Sequence, residues 1–264
     1  MWPLSFISED DFYAHVEDTI QNYGEKLRPF DLEKFNNNII DPIKLIFDKT
    51  VYGFTWQEII KNEIFRQRDK SNNNDIGYFH QRVFRYMQDC KVPQSGWDVV
   101  FARDGIDIAD GETVSRIFVE MKNKHNTMNS AASGKTYIKM QAQLLEDDDC
   151  ACLLVEAIAK KSQNITWAVS VDGQQKRHRR IRRVSMDKFY GLVTGEEDAF
   201  YKMCMQLPKT VEKVVSETTA NSIPCDSVLE GLEAMARSRG GSFALALYIL
   251  GFGDYMGFKE TGLA

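Results

Sequence analysis

Hydrophobic residues recur at helical spacing in the first third of the chain and at strand spacing in its middle. Phe12, Val16 and Ile20 lie four residues apart, which places them on one face of a helix. Residues 56–68 carry a similar stripe, and the polar run 71–75 that follows predicts a loop before the next helix. We therefore expect the amino-terminal third to be helical, in several separate pieces.

The strongest strand pattern lies at residues 117–124. This stretch is rich in β-branched and aromatic residues and contains no Gly or Pro. Successive side chains of a strand point to opposite faces. We expect one face to enter a core through Ile117, Val119 and Met121, and the other to carry Phe118, Glu120, Lys122 and Lys124.

An earlier apolar strand begins near Asp98, in the run Trp97 to Phe101. The Asp-Gly pairs at 104–105 and 110–111 are typical of turns that reverse the chain. A β-meander of this kind predicts that Asp98 lies beside Glu120.

Two further apolar runs, at 151–157 and 165–171, predict buried strands that follow a helix containing Tyr137 and Met140. Helices are expected again from Ser185 onwards. The predicted fold class is therefore α/β (α+β), a mixed sheet of four or five strands flanked by helices, with helical extensions at both termini.

A chain of 264 residues is long enough for one large domain with a buried core. We expect a single domain over residues 1–264, with its core at about 55–205 and helical extensions at 1–54 and 206–264. The first residues lack the basic start of a signal peptide, and the apolar run 243–252 is too short to span a bilayer. The five cysteines are odd in number and scattered, as is typical of reduced thiols, so a cytoplasmic protein is expected.

Asp98, Glu120 and Lys122 supply the residue types that a metal-dependent phosphodiesterase needs. Carboxylate oxygens suit Mg²⁺, which keeps several of its waters and acts as a Lewis acid. A lysine beside them would orient the attacking water and neutralise charge on the phosphate. The competing interpretation is that Glu120 and Lys122 form a solvated ion pair, as most such surface pairs do.

The pattern Asp98…Glu120-x-Lys122 resembles the catalytic signature of the PD-(D/E)XK nuclease superfamily, with Trp97 in place of the proline. The resemblance implies a restriction-endonuclease-like core. It also implies that Asp98 and Glu120 are ligands of Mg²⁺ and that Lys122 is the catalytic lysine.

Three longer runs make the resemblance more specific. Residues 118–130 (FVEMKNKHNTMNS), 77–81 (GYFHQ) and 189–195 (FYGLVTG) are similar to type II restriction endonucleases that cut GGNCC-type sites. The similarity covers roughly residues 55–205. It implies that the chain cleaves double-stranded DNA at a short site of this kind.

Glu63 is a further acidic candidate, because it lies on the apolar stripe formed with Trp56 and Ile60. One interpretation is that Glu63 lies at the edge of the stripe and reaches water. The other is that it reaches the metal site from a helix beside the sheet, as an acidic residue of an early helix often does in related nucleases. We therefore retain Glu63 as a third candidate metal ligand.

Two polar stretches are candidates for DNA contact. The segment after Lys124 contains several asparagines, whose amides can bridge adenine edges, and residues 176–183 contain six Lys or Arg in eight positions. Such a basic run would neutralise phosphates and make binding depend on salt. The alternatives are an ordinary strand-to-helix connection for the first stretch and a solvated loop or partner-docking surface for the second. The candidate DNA-binding residues are Asn123, Lys124, His125, Asn126, Asn129, Lys135, Arg177, Arg179, Arg180, Arg182 and Arg183.

These observations predict a type II restriction endonuclease that uses Mg²⁺ to hydrolyse both strands of a short palindromic DNA site. A two-fold symmetric site calls for a two-fold symmetric protein, so a homodimer is expected. In a restriction-modification system, a cognate DNA methyltransferase acts on the same site but need not bind the nuclease. The alternatives are a structure-specific or repair nuclease of the same superfamily and a non-catalytic DNA-binding module.

Overall fold

The strand expected at residues 117–124 lies inside a six-stranded mixed sheet. The computed structural model of the protein describes residues 2–26, 29–125, 127–218, 225–240 and 242–253. The strands are β1 (Cys90–Lys91), β2 (Val99–Asp107), β3 (Thr113–Lys124), β4 (Cys150–Ile158), β5 (Asn164–Val171) and β6 (Gln174–Ser185). The helices are α1 (Glu9–Lys26), α2 (Leu32–Asn36), α3 (Pro42–Tyr52), α4 (Trp56–Arg82), α5 (Ser130–Glu146), α6 (Met186–Thr194), α7 (Ala199–Glu217), α8 (Val228–Ser238) and α9 (Phe243–Phe252).

The strands lie in the order β1-β2-β3-β4-β6-β5. The pairs β3–β4 and β4–β6 are parallel, whereas β1–β2, β2–β3 and β5–β6 are antiparallel. The α/β fold class is therefore confirmed, with six strands rather than four or five. The carboxyl ends of the three parallel strands meet at one edge of the sheet, and this edge holds the candidate site.

The two faces of β3 bury different residues, as its alternating pattern predicts. Ile117, Val119 and Met121 enter the larger core, where the sheet packs against residues of α1, α6 and α7. On the other face Phe118 packs against a smaller cluster, which includes Tyr137 of α5. Because α5 covers this second face, it lies over the same side of the sheet as Glu120 and Lys122.

The structure has two compact units. The first comprises Met1–Gln21 and Asp75–Thr219 and contains the whole sheet, and the second comprises Asn22–Asn74 and Ala220–Ala264. The second unit has its own apolar core, formed by residues of α2, α4, α8 and α9. The expected single domain, with its core at about 55–205, remains a prediction. The boundaries of the two units differ from the expected boundaries of that core.

Three local predictions were wrong. The Asp104-Gly105 pair does not reverse the chain, because it lies inside β2, where the pairing with β3 shifts register. Residues 71–75 form no loop, because α4 runs unbroken through them; Asn73 donates a hydrogen bond back to the carbonyl of Asp69 at 3.0 Å and so satisfies its amide within the helix. Residues 165–171 are not a buried strand either, since β5 is an edge strand with several exposed residues. The strand that packs beside β4 is instead β6, which contains the basic run.

In the described part of the chain, no helix is both long and apolar enough to cross a membrane. All five cysteines are free thiols.

Candidate active site

The antiparallel pairing of β2 with β3 brings Asp98 beside Glu120. Val99 is in register with Val119, and the backbone N–H of Asp98 donates to the carbonyl of Val119 at 3.0 Å. The Oδ2 atom of Asp98 accepts a hydrogen bond from the backbone N–H of Met121 at 2.7 Å. The backbone of β3 therefore fixes the Asp98 carboxylate next to the Glu120 side chain, as the meander predicts.

The two carboxylates have different electrostatic surroundings. Burial raises the pKa of Asp98 and the negative charge of Glu120 raises it further, which outweighs the hydrogen bond from Met121 and the two nearby lysines. Burial also acts on Glu120, but hydrogen bonds from Lys122 and Lys139 lower its pKa below the ordinary value. Asp98 is thus the carboxylate whose charge the free protein compensates less well.

Each oxygen of Glu120 accepts a hydrogen bond from a lysine. The Nζ atom of Lys122 lies 2.7 Å from Oε1, and the Nζ atom of Lys139 lies 2.8 Å from Oε2. The side chain of Glu120 is 18 % exposed and that of Lys122 is 28 % exposed. The pair is therefore partly enclosed rather than the fully solvated surface pair of the competing interpretation.

Lys139 is a site residue that the sequence pattern did not identify. Its ammonium also donates to the carbonyl of Gly96 and lies 4.0 Å from the centre of the Trp97 ring, in a cation–π contact. Trp97 in turn donates from its indole N–H to Gln143 at 3.0 Å. Tyr137 and Met140 pack α5 against the sheet. Because Lys139 is adjacent to Met140, the apolar stripe of α5 is the signal that places Lys139 near the side of the helix that meets Glu120.

A second charged cluster lies beside Lys122. Glu156 of β4 is in register with Lys122 and is 2 % exposed. Its carboxylate accepts a hydrogen bond from Arg183 of β6 and lies 3.1 Å from the Nδ1 atom of His125. Burial would raise the pKa of Glu156, but the hydrogen bonds from Arg183 and His125 lower it. This buried acid was also missed, because Glu156 lies inside an apolar run.

Asp98 and Glu120 suit a hard divalent cation. Carboxylate oxygens are the ligands that such cations prefer, and an ion that keeps several waters needs only one or two of them from the protein. A carboxylate has about four lone-pair positions, so two ammonium groups leave Glu120 room for an ion. Among the described residues, no group of three or more His, Cys, Asp or Glu is placed to hold a metal. Asp98 and Glu120 together supply the two carboxylates that an ion of this kind needs.

Comparison with known proteins gives the family. Residues 4–216 match the model of the Eco47II restriction endonuclease family. The chain belongs to this family. It is 30 % identical over 213 residues to the type II restriction enzyme Sau96I of Staphylococcus aureus, with 78 % of each chain covered. It is 28 % identical over 225 residues to the type II restriction enzyme Eco47II of Escherichia coli, covering 81 % of this chain and 89 % of that enzyme.

The expected family and enzyme class are thereby confirmed. Type II restriction enzymes are site-specific deoxyribonucleases that act on double-stranded DNA and generally use divalent metal ions. The carboxylates and lysines of this member of the Eco47II restriction endonuclease family lie within the matched residues.

Several candidate DNA-binding residues lie near the end of β3 and the start of α5. Lys124 and Lys135 are exposed, and Asn123 is half-buried on β3. Asn129 caps α5, since its side chain accepts a hydrogen bond from the N–H of Ala132 at 2.8 Å. Asn126 lies outside the described residues.

The basic run forms most of β6, and its arginines differ in burial along the strand. Arg177 and Arg179 are exposed, whereas Arg180 is half-buried and donates to Glu112 at 3.1 Å. Arg182 is 1 % exposed and donates to Asn164 at 2.6 Å and to Asp110 at 2.8 Å. The guanidinium of Arg182 is therefore buried and paired within the fold, and DNA contact by the residues of the basic run remains a prediction.

Glu63 lies in the second unit, on α4. It is 5 % exposed, and its carboxylate accepts hydrogen bonds from Arg66 at 2.5 and 2.7 Å and from Gln67 at 3.0 Å. Glu63 therefore does not reach water as the first interpretation expects. Its assignment as a metal ligand remains a prediction.

Proposed function

We propose that the protein is a Mg²⁺-dependent type II restriction endonuclease that hydrolyses both strands of a short palindromic DNA site. The observation that carries this proposal is the juxtaposition of Asp98, Glu120 and Lys122 at the end of two paired strands. Asp98 and Glu120 would hold the ion, and Lys122 would act on the reacting groups.

The side chains have distinct tasks in this mechanism. A bound Mg²⁺ supplies Lewis acidity, which polarises the phosphate and acidifies water. Lys122 has three N–H donors, of which one is directed to Glu120, so the others can orient a water and neutralise the phosphate. Lys139 holds the second oxygen of Glu120 and is itself fixed by Gly96 and Trp97. It would act as a positioning residue.

Features of the substrate and assembly follow from the same proposal. A palindromic site favours a homodimer, which would bring two active sites to the two strands. The resemblance of residues 118–130 implies a GGNCC-type site, which a cognate methyltransferase would protect in the cytoplasm. Contacts to DNA would come from the exposed groups near the site, which are Lys124, Lys135, Arg177 and Arg179.

A plasmid digestion tests the proposal. The purified protein is incubated with a plasmid of known sequence in Mg²⁺, in Ca²⁺ and in EDTA, and the ends of any fragments are sequenced. We expect discrete fragments with Mg²⁺ alone, and the ends give the site and the stagger.

Asp98→Ala and Lys122→Ala are expected to abolish cleavage and to leave DNA binding intact; full activity in either variant would contradict the assignment. Preferential cleavage of branched DNA would instead favour a repair nuclease. Retardation of DNA without nicking would favour a binding module.

A further inference from the structure

A cavity of about 50 Å³ lies beside Lys122 of β3, on the side of β4 rather than of β2. Its polar wall is formed by Lys122, Glu156, Arg183, Thr127 and Ser133. Lys122 belongs to β3 and Ser133 to α5. Glu156 belongs to β4 and Arg183 to β6. Four elements of the first unit therefore contribute to one small polar space.

One of the residues that line this cavity has a hydrogen-bond donor that the surrounding protein leaves unused. In the part of the chain that the structure describes, the Nε atom of Arg183 is buried and has no hydrogen-bond partner. An unpaired buried donor is costly, and such groups in folded proteins call for a specific explanation. A ligand with acceptor oxygens would supply the missing partner.

Charge favours an anionic ligand. Lys122 and Arg183 contribute two positive charges to the wall, and Glu156 contributes one negative charge. Glu156 is fixed, because it is 2 % exposed and holds one Nη atom of Arg183. The carboxylate thus orients the guanidinium without cancelling the positive charge of the cavity.

The position of the cavity indicates which anion it binds. Arginine, lysine and hydroxyl groups are the usual ligands of phosphate oxygens. The amino-terminal end of α5, which carries Ser133, adds positive partial charge on the same side. In the proposed function Lys122 faces the phosphate that is cut, so the neighbouring cavity would lie beside the next phosphate of the same strand.

We infer that this cavity binds the DNA phosphate adjacent to the one that is cut. Arg183 and Ser133 are its ligands, and Glu156 is a positioning residue that holds Arg183. The inference rests on the proposed function and adds a phosphate-binding site to it.

Duplexes with single neutral phosphates test this inference. Each phosphate within two nucleotides of the cut is replaced in turn by a methylphosphonate, and binding is measured in Ca²⁺, so that the strands stay intact. For the unsubstituted protein, we expect one position beside the cut to lower affinity about tenfold, the cost of one charge-assisted contact. In Arg183→Gln the same replacement should cost less than about twofold, because the partner charge is already absent.

Two further variants and a control complete the design. Ser133→Ala and Glu156→Gln should each reduce the penalty at that same position and at no other, which a merely structural effect would not do. Arg103→Gln is the matched control, since Arg103 forms an exposed pair with Asp89. It should retain the original pattern of penalties. If Arg183→Gln does not fold, the Ser133 and Glu156 variants decide the question.

The inference is overturned if every variant retains the full penalty at each position, or if no position is sensitive in the unsubstituted protein. Cleavage of the unmodified duplex in Mg²⁺ is measured in parallel. If the protein cleaves the duplex but the variants do not change the methylphosphonate penalties, the phosphate site is rejected and the proposed function is retained. Absence of both cleavage and site-specific binding rejects both.

Discussion

Asp98 is the harder of the two site carboxylates to ionise, because burial and the charge of Glu120 act on it together. Glu120 has two lysines as compensation, whereas Asp98 has one backbone N–H at hydrogen-bond distance. A bound cation would supply the compensation that Asp98 lacks. The free protein therefore holds one carboxylate in a state that metal binding would relieve.

Asp98→Asn is expected to separate stability from activity. The amide oxygen can still accept the hydrogen bond from Met121, and the buried charge is removed, so the melting temperature without metal should stay the same or rise. Cleavage should fall by at least about 10³-fold, since a metal ion contributes several kcal/mol to the transition state. Thermal melts with and without Mg²⁺ check the first part; metal should stabilise the original protein and not the variant. A lower melting temperature without metal would contradict this account.

Lys139→Gln is expected to slow cleavage without abolishing it. Loss of a group that orients a metal ligand typically costs about 10- to 100-fold in activity. Removal of a positive charge near Glu120 should also tighten metal binding, by roughly fivefold at a partly exposed pair. Calorimetric titration with Ca²⁺ and cleavage rates in Mg²⁺ measure the two effects. Lys188→Gln, an exposed change on α6, is the control. An unchanged cleavage rate in Lys139→Gln would contradict the proposed positioning role.

At the scale of elements, β6 shows how one strand divides a run of like charges between buried and exposed positions. Arg182 lies inside with hydrogen bonds to Asn164 and Asp110, while Arg177 is exposed and has no ion-pair partner among the described residues. The same residue type therefore serves folding at one position and is available to DNA at another.

Arg177→Gln and Arg182→Met form a matched pair of changes on this strand. Arg182→Met should destabilise the protein by roughly 1–3 kcal/mol, because Asn164 loses the hydrogen bonds that the buried guanidinium donates to it. Arg177→Gln should leave stability unchanged and lower the salt dependence of DNA binding by about one unit of slope. Urea unfolding and binding at several salt concentrations distinguish the two. An unchanged salt slope in Arg177→Gln would show that this end of β6 faces away from DNA.

The contact between α1 and α4 gives the first unit a pH-dependent element. The imidazole N–H of His15 donates to the carbonyl of Phe79 at 3.0 Å, and burial lowers the pKa of His15 to about 4. Burial likewise lowers the pKa of His80 to about 4. As the pH falls, both histidines are protonated near pH 6.5 in the unfolded chain but only near pH 4 in the folded chain. The stability that the neutral histidines provide is therefore complete above about pH 6.5 and is lost as the pH falls toward 4.

The free energy of unfolding should accordingly fall between pH 6.5 and 4, by up to roughly 3 kcal/mol for each histidine. In His15→Gln the amide can still donate to Phe79 but does not titrate, so the slope against pH should be smaller. Urea unfolding at closely spaced pH values measures it. Equal slopes for the two proteins would show that His15 does not contribute.

The sequence predicted strands well where one physical signal dominated. In β3 the alternation of apolar and charged residues identifies both faces, and the turn at residues 110–111 places Asp98 beside Glu120. In β6 the signal failed, because a strand with arginines on both faces shows no hydrophobic alternation. Lys139 and Glu156 were not predicted as site residues, because each reaches the site only through packing between elements that are distant in sequence.

At the scale of the whole molecule, the family match contains the whole sheet, whereas the second unit extends beyond the match. The match ends at residue 216, and all six strands and the candidate site lie before it. Unit two nevertheless takes residues from both halves of the chain. The core of that unit joins Ile60 and Ile64 of α4 to Leu232 of α8 and Leu247 of α9.

Shortening the chain after Glu217 would thus spare every proposed catalytic group and still remove half of an apolar interior. Leu232 and Leu247 are both fully buried, so their loss would expose the apolar side of α4 to water. We expect such a fragment to aggregate, which gel filtration would reveal; a monodisperse, active fragment would contradict this. Truncation trials that keep only the nuclease signature would then fail through insolubility rather than through damage to its chemistry.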